Sequence, residues 1–270
     1  MKNIGLELNS IGIFGFGNMG QAIFDLLKEQ KNYKFFINDS IFQRAQDLRK
    51  MKLFRAKWSN NLVELIRSSD LLFICVKPQN FRELEPLEAK NKTIISIMAG
   101  ITLKEINQKF KGAKVIRTMP NLPLQIGEGI LAWYYQKNIF TKKEINFIQE
   151  LLSFFGELVL LKKESDIHSI TAITGCGPAY VFAFINALIK SAIKLGFSRE
   201  EAKLIVDGTI SGSFNYYQNQ NLELEKLITK VSSKKGITEV ALKELNLKEF
   251  YNTWQKVTKK AEVRSKELSK

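Results

Sequence analysis

The six residues Gly15, Phe16, Gly17, Asn18, Met19 and Gly20 constrain this chain more than any other stretch. They close the apolar run 11–15, "IGIFG", and open "QAIFDLLKEQ", where positions 23, 26 and 27 keep helical spacing. Strand, tight turn and helix around G-x-G-x-x-G are the context in which such a loop cradles a dinucleotide; the glycines alone are a weak signal. Gly15 permits the turn, Gly17 lets the backbone approach a pyrophosphate, and Gly20 lets helix and strand pack closely. The helix N-terminus then faces the negative charge.

The theme repeats downstream. "KFFIN" (34–38) reads as a second strand, "IFQRAQDLRKM" as a helix, and "LLFICVKP" (71–78) as a buried strand ended by Pro78. "TIISIMAG" (93–100), "KVIRTMPN" (114–121), "GILAWYY" (129–135) and "GELVLL" (156–161) add strands, the last two around the helix "KKEINFIQELLSFF". Near-continuous apolar strands alternating with helices predict a parallel sheet covered on both faces, with ligands beyond the strand carboxyl ends. After residue 163 the strand signals stop, and an all-helical region follows with breaks at 196–198, 219–222 and 232–238. We place a domain boundary there, dividing 1–163 from 164–270.

Composition narrows the function. Two cysteines and one histidine among 270 residues provide neither a disulfide framework nor a metal cluster, so we expect no metal and a reducing, cytoplasmic setting. The N-terminus carries Glu7 inside what would be the apolar run of a signal peptide. The apolar stretch from Ala179 is interrupted by Asn186, Lys190 and Lys194, and reads as a buried helix rather than a membrane span. The net charge of +14 comes from scattered lysines without a nucleic-acid motif, so we expect no nucleic-acid partner and no membrane. No Ser/His/Asp set and no paired carboxylates occur, which fits hydride transfer, where a cofactor supplies the difficult chemistry. At the end of the second strand, Asp39 suits a ribose hydroxyl and so NADH, or caps the next helix; Asn38 and Ser40, with Lys34 or Arg44, suit a phosphate and so NADPH.

Taken in order, "GFGNMGQA" (15–22), "VKPQ" (76–79), "ISIMAGIT" (95–102), "IRTMPNLP" (116–123), "ITAITGCGPAYVF" (170–182), "VSSKKGIT" (231–238) and "KAEVRSKEL" (260–268) resemble the pyrroline-5-carboxylate reductase family. The resemblance implies an α/β Rossmann domain followed by an all-α dimerisation domain that forms a homodimer, often assembled further. It implies NADPH- or NADH-dependent reduction of 1-pyrroline-5-carboxylate to L-proline, the last step of proline synthesis. By position, it places Gly15 to Gly20 on the pyrophosphate and Asn38, Asp39 and Ser40 near the adenosine ribose. Asn61 and the strand end Cys75, Val76, Lys77 and Pro78 flank the cofactor, and Met98, Ala99 and Gly100 border the nicotinamide. Ser233, Gly236, Ile237 and Thr238 fall on the loop that holds the substrate carboxylate, Thr238 as partner of the substrate nitrogen; Glu164 matches an acidic position near the substrate or is an ordinary junction acid.

The chain also departs from the family. Its loop reads Ser233-Lys234-Lys235-Gly236-Ile237-Thr238 where S-P-G-G-T-T is usual, position 208 is glycine where glutamine is usual, and His168 stands where an acid is common. A lysine replacing a glycine at positive φ costs roughly 1 kcal/mol or more. That leaves two further readings open: a same-fold reductase for another small imine or hydroxy acid, and a non-catalytic dinucleotide-binding protein. Cys176, between Gly175 and Gly177, has no neighbouring base and reads as a small residue in a turn.

Overall fold

The structure is a computed structural model, and it describes residues 8–30, 32–39 and 56–269. Ser40 and the expected helix 41–51 lie outside the described residues. In chain order the first elements are β1 (Ser10–Phe14), α1 (Asn18–Leu27), β2 (Lys34–Asn38), β3 (Ala56–Trp58), α2 (Leu62–Ser68), β4 (Leu71–Ile74) and α3 (Pro78–Arg82). Then come β5 (Leu87–Glu88), β6 (Thr93–Ser96), α4 (Leu103–Lys109), β7 (Phe110–Lys111), β8 (Lys114–Met119), β9 (Gly129–Tyr135), α5 (Lys142–Ser153), β10 (Gly156–Leu160) and α6 (Asp166–Ile170). The rest is helical: α7 (Gly177–Lys194), α8 (Arg199–Gln218), α9 (Leu224–Val231), α10 (Ile237–Leu245) and α11 (Leu247–Glu267).

Among the described residues, eight strands form one sheet in the order β10-β9-β8-β6-β4-β1-β2-β3. Side chains alternate across it: Leu71 and Phe73 of β4 enter one apolar cluster, Leu72 and Ile74 the other. Each such fully buried side chain contributes roughly 1.5–3 kcal/mol, so both faces are driven closed. The order reverses at β1, leaving a crevice between its carboxyl end and that of β4. One expectation is corrected: β9 runs antiparallel to β8, pairing Ile116 with Tyr135. The strands are joined by a 3-10 turn over Leu122–Ile126 rather than a crossover helix, and a direct connection forces reversal.

Two compact units result, one of residues 1–176 with 261–270, the other 177–260. Both passages between them run through helix: Asp166–Lys194 is continuous over 29 residues, and α11 spans the second division. At 171–175 the first of these helices widens, with the Cys176 N–H reaching the Thr171 carbonyl at 3.0 Å. Pro178, which has no N–H for the Thr174 carbonyl, follows directly.

The expectation of a buried α7 is also corrected. Within α7 only Ala192 is buried, while Val181, Phe182 and Phe184 are each half exposed. Asp166–Lys194 is long and apolar enough to cross a membrane by length and composition, with mean hydropathy 1.6 over its most apolar stretch. In the second unit, Ala192, Ala202 and Val206 are the buried apolar residues, too few to close a core, so its apolar faces need a cover from outside the single chain.

Candidate active site

The crevice at the switch point is a cleft of about 550 Å³. Its first wall is the glycine loop: Gly15, Gly17, Asn18 and Met19 line it. Gly15 has φ +91°, and a Cβ there would lie 2.8 Å from the Cys75 carbonyl carbon and the Val76 nitrogen, so only glycine fits. A Cβ on Gly20 would sit 2.1 Å from the Gly15 carbonyl oxygen. Gly20 therefore lets α1 approach the turn from behind and does not line the cleft. Gly17 caps α1 without a side chain, and no acid occupies the helix's own first turn, so the N–H groups of that turn and the positive end of the dipole face the cleft.

The second wall is the end of β4 with the start of α3, where Cys75, Val76, Lys77, Pro78 and Asn80 line the cleft; the third is Ile97, Met98 and Ala99. Burial pushes the Cys75 thiol far above its usual pKa, which keeps it protonated and inert. Asp39 reaches the cleft from beyond β2. Its carboxylate accepts the Phe16 N–H at 2.6 Å, bracing the glycine loop from within.

Several expected cofactor residues have other work. Phe16 buries its ring in the core, at 4% exposure. Asn38 is buried and donates to the Ser59 carbonyl at 2.8 Å, tying the end of β2 to the segment after β3. Asn61 caps α2, accepting the Glu64 N–H at 2.9 Å. Gly100, at φ +74°, faces the chain's last turn: a Cβ there would lie 2.7 Å from the Leu268 carbonyl oxygen. Asn80 and Ile97 are cleft residues that motif reading passes over, although both lie inside or beside quoted motifs.

Glu164 is tied into the first unit by two interactions. It pairs with Arg117 at 2.8 Å and accepts the Leu103 N–H at the start of α4, also at 2.8 Å. Arg117 is 2% exposed in the middle of β8. Burial pushes its guanidinium down from the usual value, and Glu164 opposes that. A charge inside the apolar run "KVIRTM" was the sequence signal for this pair. His168 bonds Ser265 Oγ through Nδ1 at 3.0 Å. Burial first, then Arg117 and Lys266, hold its pKa below the ordinary value. Asn121, in the loop after β8, accepts the Ile130 N–H at 2.9 Å and does not line the cleft.

In the second unit, Lys235 adopts φ +62°, the left-handed region that favours glycine. Its N–H is held by the Glu239 carboxylate. Gly236 caps α10, and a Cβ there would lie 2.3 Å from Ser233 Oγ. Ile237 is 92% exposed at the first position of α10, and Thr238 follows it, half-buried. The loop thus presents a serine hydroxyl, helix N-terminal amides and a threonine hydroxyl close together in sequence, with two lysines added.

Known proteins resemble this chain over nearly its whole length. A family profile described as "Pyrroline-5-carboxylate reductase dimerisation" matches residues 164–268, and one described as "NADP oxidoreductase coenzyme F420-dependent" matches 10–100. The pyrroline-5-carboxylate reductase of Aquifex aeolicus (strain VF5) is 32% identical over 262 residues, covering 96% of this chain and 97% of that one. The chain belongs to the pyrroline-5-carboxylate reductase family. Solved structures of family members agree. The enzyme from Streptococcus pyogenes superposes with a TM-score of 0.87 at 28% identity, covering 97% of this chain and all of that one. The Plasmodium falciparum enzyme, solved with NADP bound, gives 0.81 at 27% identity, covering 98% and 100%.

Proposed function

We propose that this chain reduces 1-pyrroline-5-carboxylate to L-proline with NADH or NADPH, acting as a homodimer or a larger assembly of dimers in the cytoplasm, without membrane or nucleic-acid partners. The observation that carries the reading is the 32% identity to a pyrroline-5-carboxylate reductase over 96% of the chain. The cleft fits the cofactor: the glycine turn exposes backbone amides to a pyrophosphate, and Lys77 adds positive charge at the mouth. In this reading Asp39, a cleft residue, lies toward the adenosine ribose, where a carboxylate disfavours a 2′-phosphate and so favours NADH. The dinucleotide supplies the hydride. The chain's own task is to hold a small carboxylated imine in line with it.

In this reading Ser233 Oγ and the Ile237 amide hold the substrate carboxylate, Gly236 closes the loop beside them through its N–H to the Ser233 carbonyl at 2.9 Å, and Thr238 bonds the ring nitrogen, keeping the C=N cationic and receptive. Glu164 acts at one remove, by fixing Arg117 and the start of α4. The strained Lys235 beside Lys234 favours a second reading, in which a reshaped loop selects a different cyclic imine. A single experiment separates the possibilities: NADH and NADPH oxidation followed with 1-pyrroline-5-carboxylate and other cyclic imines, for wild type and Thr238→Ala. Turnover of 1-pyrroline-5-carboxylate with a KM raised about tenfold in the variant is expected, as for one lost substrate hydrogen bond. Turnover of another imine alone would establish the second reading, and tight dinucleotide binding with no turnover would make the protein a binding module.

A further inference from the structure

Two walls of the cleft are short segments. The five-residue helix α3 carries Pro78 and Asn80, and the irregular stretch 97–100 carries Ile97, Met98 and Ala99. Neither holds its own shape, because a helix this short is unstable alone. Phe81 and Met98 pack in one apolar cluster beneath them, which fixes depth but not lateral position. The last residue of α3, Arg82, supplies the lateral tie. Its Nη2 donates to the Gly100 carbonyl at 3.2 Å and to the Leu268 carbonyl at 3.1 Å, and its Nε to the Glu105 carboxylate at 3.3 Å. Leu268 follows the end of the 21-residue helix α11, whose final carbonyls lack intrahelical partners and carry the negative end of the helix dipole. Gly100 is glycine where that carbonyl comes closest.

We propose that Arg82 is a positioning residue for the dinucleotide: it locks the α3 wall to the nicotinamide-side wall and makes their spacing depend on the docked end of α11. Arg82 itself does not line the cleft. The planar guanidinium is what allows one side chain to serve three acceptors from three segments, a task lysine's point charge performs poorly. The inference rests on the dinucleotide reading of the cleft. Cofactor affinity is therefore set partly by the chain's last turn, far from the glycine loop in sequence.

The test measures binding of NADH and NADPH by nicotinamide fluorescence, with no imine present, and thermal unfolding in parallel. Arg82→Ala is expected to weaken binding of the preferred nucleotide about tenfold, the equivalent of a hydrogen bond to a charged group, and kcat at saturating cofactor stays within about twofold because only ground-state placement is lost. Arg82→Lys falls between. A chain ending at Glu267 weakens binding too, and combining it with Arg82→Ala adds little, since both remove one tie. Unchanged nucleotide affinity in Arg82→Ala and Arg82→Lys, whatever happens to the melting temperature, would overturn the proposal, as would full additivity with the truncation. Wild type that binds neither nucleotide would instead overturn the dinucleotide reading beneath it.

Discussion

At Lys235 a side chain occupies backbone space suited to glycine: φ is +62°, and the N–H is pinned by Glu239. The conformation costs about 1–2 kcal/mol for an L-residue, and a glycine there loses part of that gain through its freer unfolded state. Lys235→Gly is therefore expected to raise stability by up to about 1 kcal/mol, read as a higher denaturant midpoint at unchanged slope. An unchanged or lower midpoint would mean that the surroundings have already absorbed the strain. The same scale shows where sequence reading reaches its limit. The demands on Gly15 and Gly20 were legible because steric need follows from a local pattern. The roles of Asn38 and Phe16 were not, because the partner of Asn38 lies 21 residues away in Ser59 and Phe16 meets Asp39 at a separation of 23.

Among the elements, α4 is the one whose capping ties the site to pH. Thr102 and Glu105 form a reciprocal cap at its start, and Glu105 also pairs with Arg82. Desolvation acts to raise the Glu105 pKa, but the bonds from Thr102 and Arg82 outweigh it and hold the carboxyl below its usual value. A depressed folded-state pKa gives stability that is present above the unfolded value near 4.3 and lost as pH falls through the folded one. Glu105→Gln should thus lower the melting temperature at pH 7 and flatten its fall below about pH 4; a parallel acid limb in the variant would remove Glu105 from that account. Element type was readable wherever apolar runs were long, as in "LLFI" and "GILAWYY". The three-residue β3 and seven-residue α2 were too short for periodicity to register, and the antiparallel β9 depended on a connection whose length, not composition, decides direction.

For the whole molecule, the decisive observation is what the second unit leaves uncovered. Phe184, 50% exposed on α7, belongs with Val181 and Phe182 to a contiguous apolar stretch left open on that helix. The dimerisation profile over 164–268 makes a second copy the proposed cover for this face. Phe184→Glu is expected to shift the assembly to monomer in sedimentation and to abolish turnover, with α/β content retained in the first unit. Persistence of the wild-type assembly would place the contact elsewhere. The chain's helical half was legible as helical, but not as uncovered, because a pattern of apolar residues records that burial happens and not which chain provides it.

The shortage of buried residues in that half also changes what its stability means. Where Ala192, Ala202 and Val206 are the buried apolar side chains of 84 residues, the proposed homodimer would make folding of that half a second-order process governed by mass action. Every tenfold dilution then removes about 1.4 kcal/mol from the assembled state. On that proposal protomer concentration is a denaturation coordinate alongside temperature and pH, and a melting point quoted without it is incomplete.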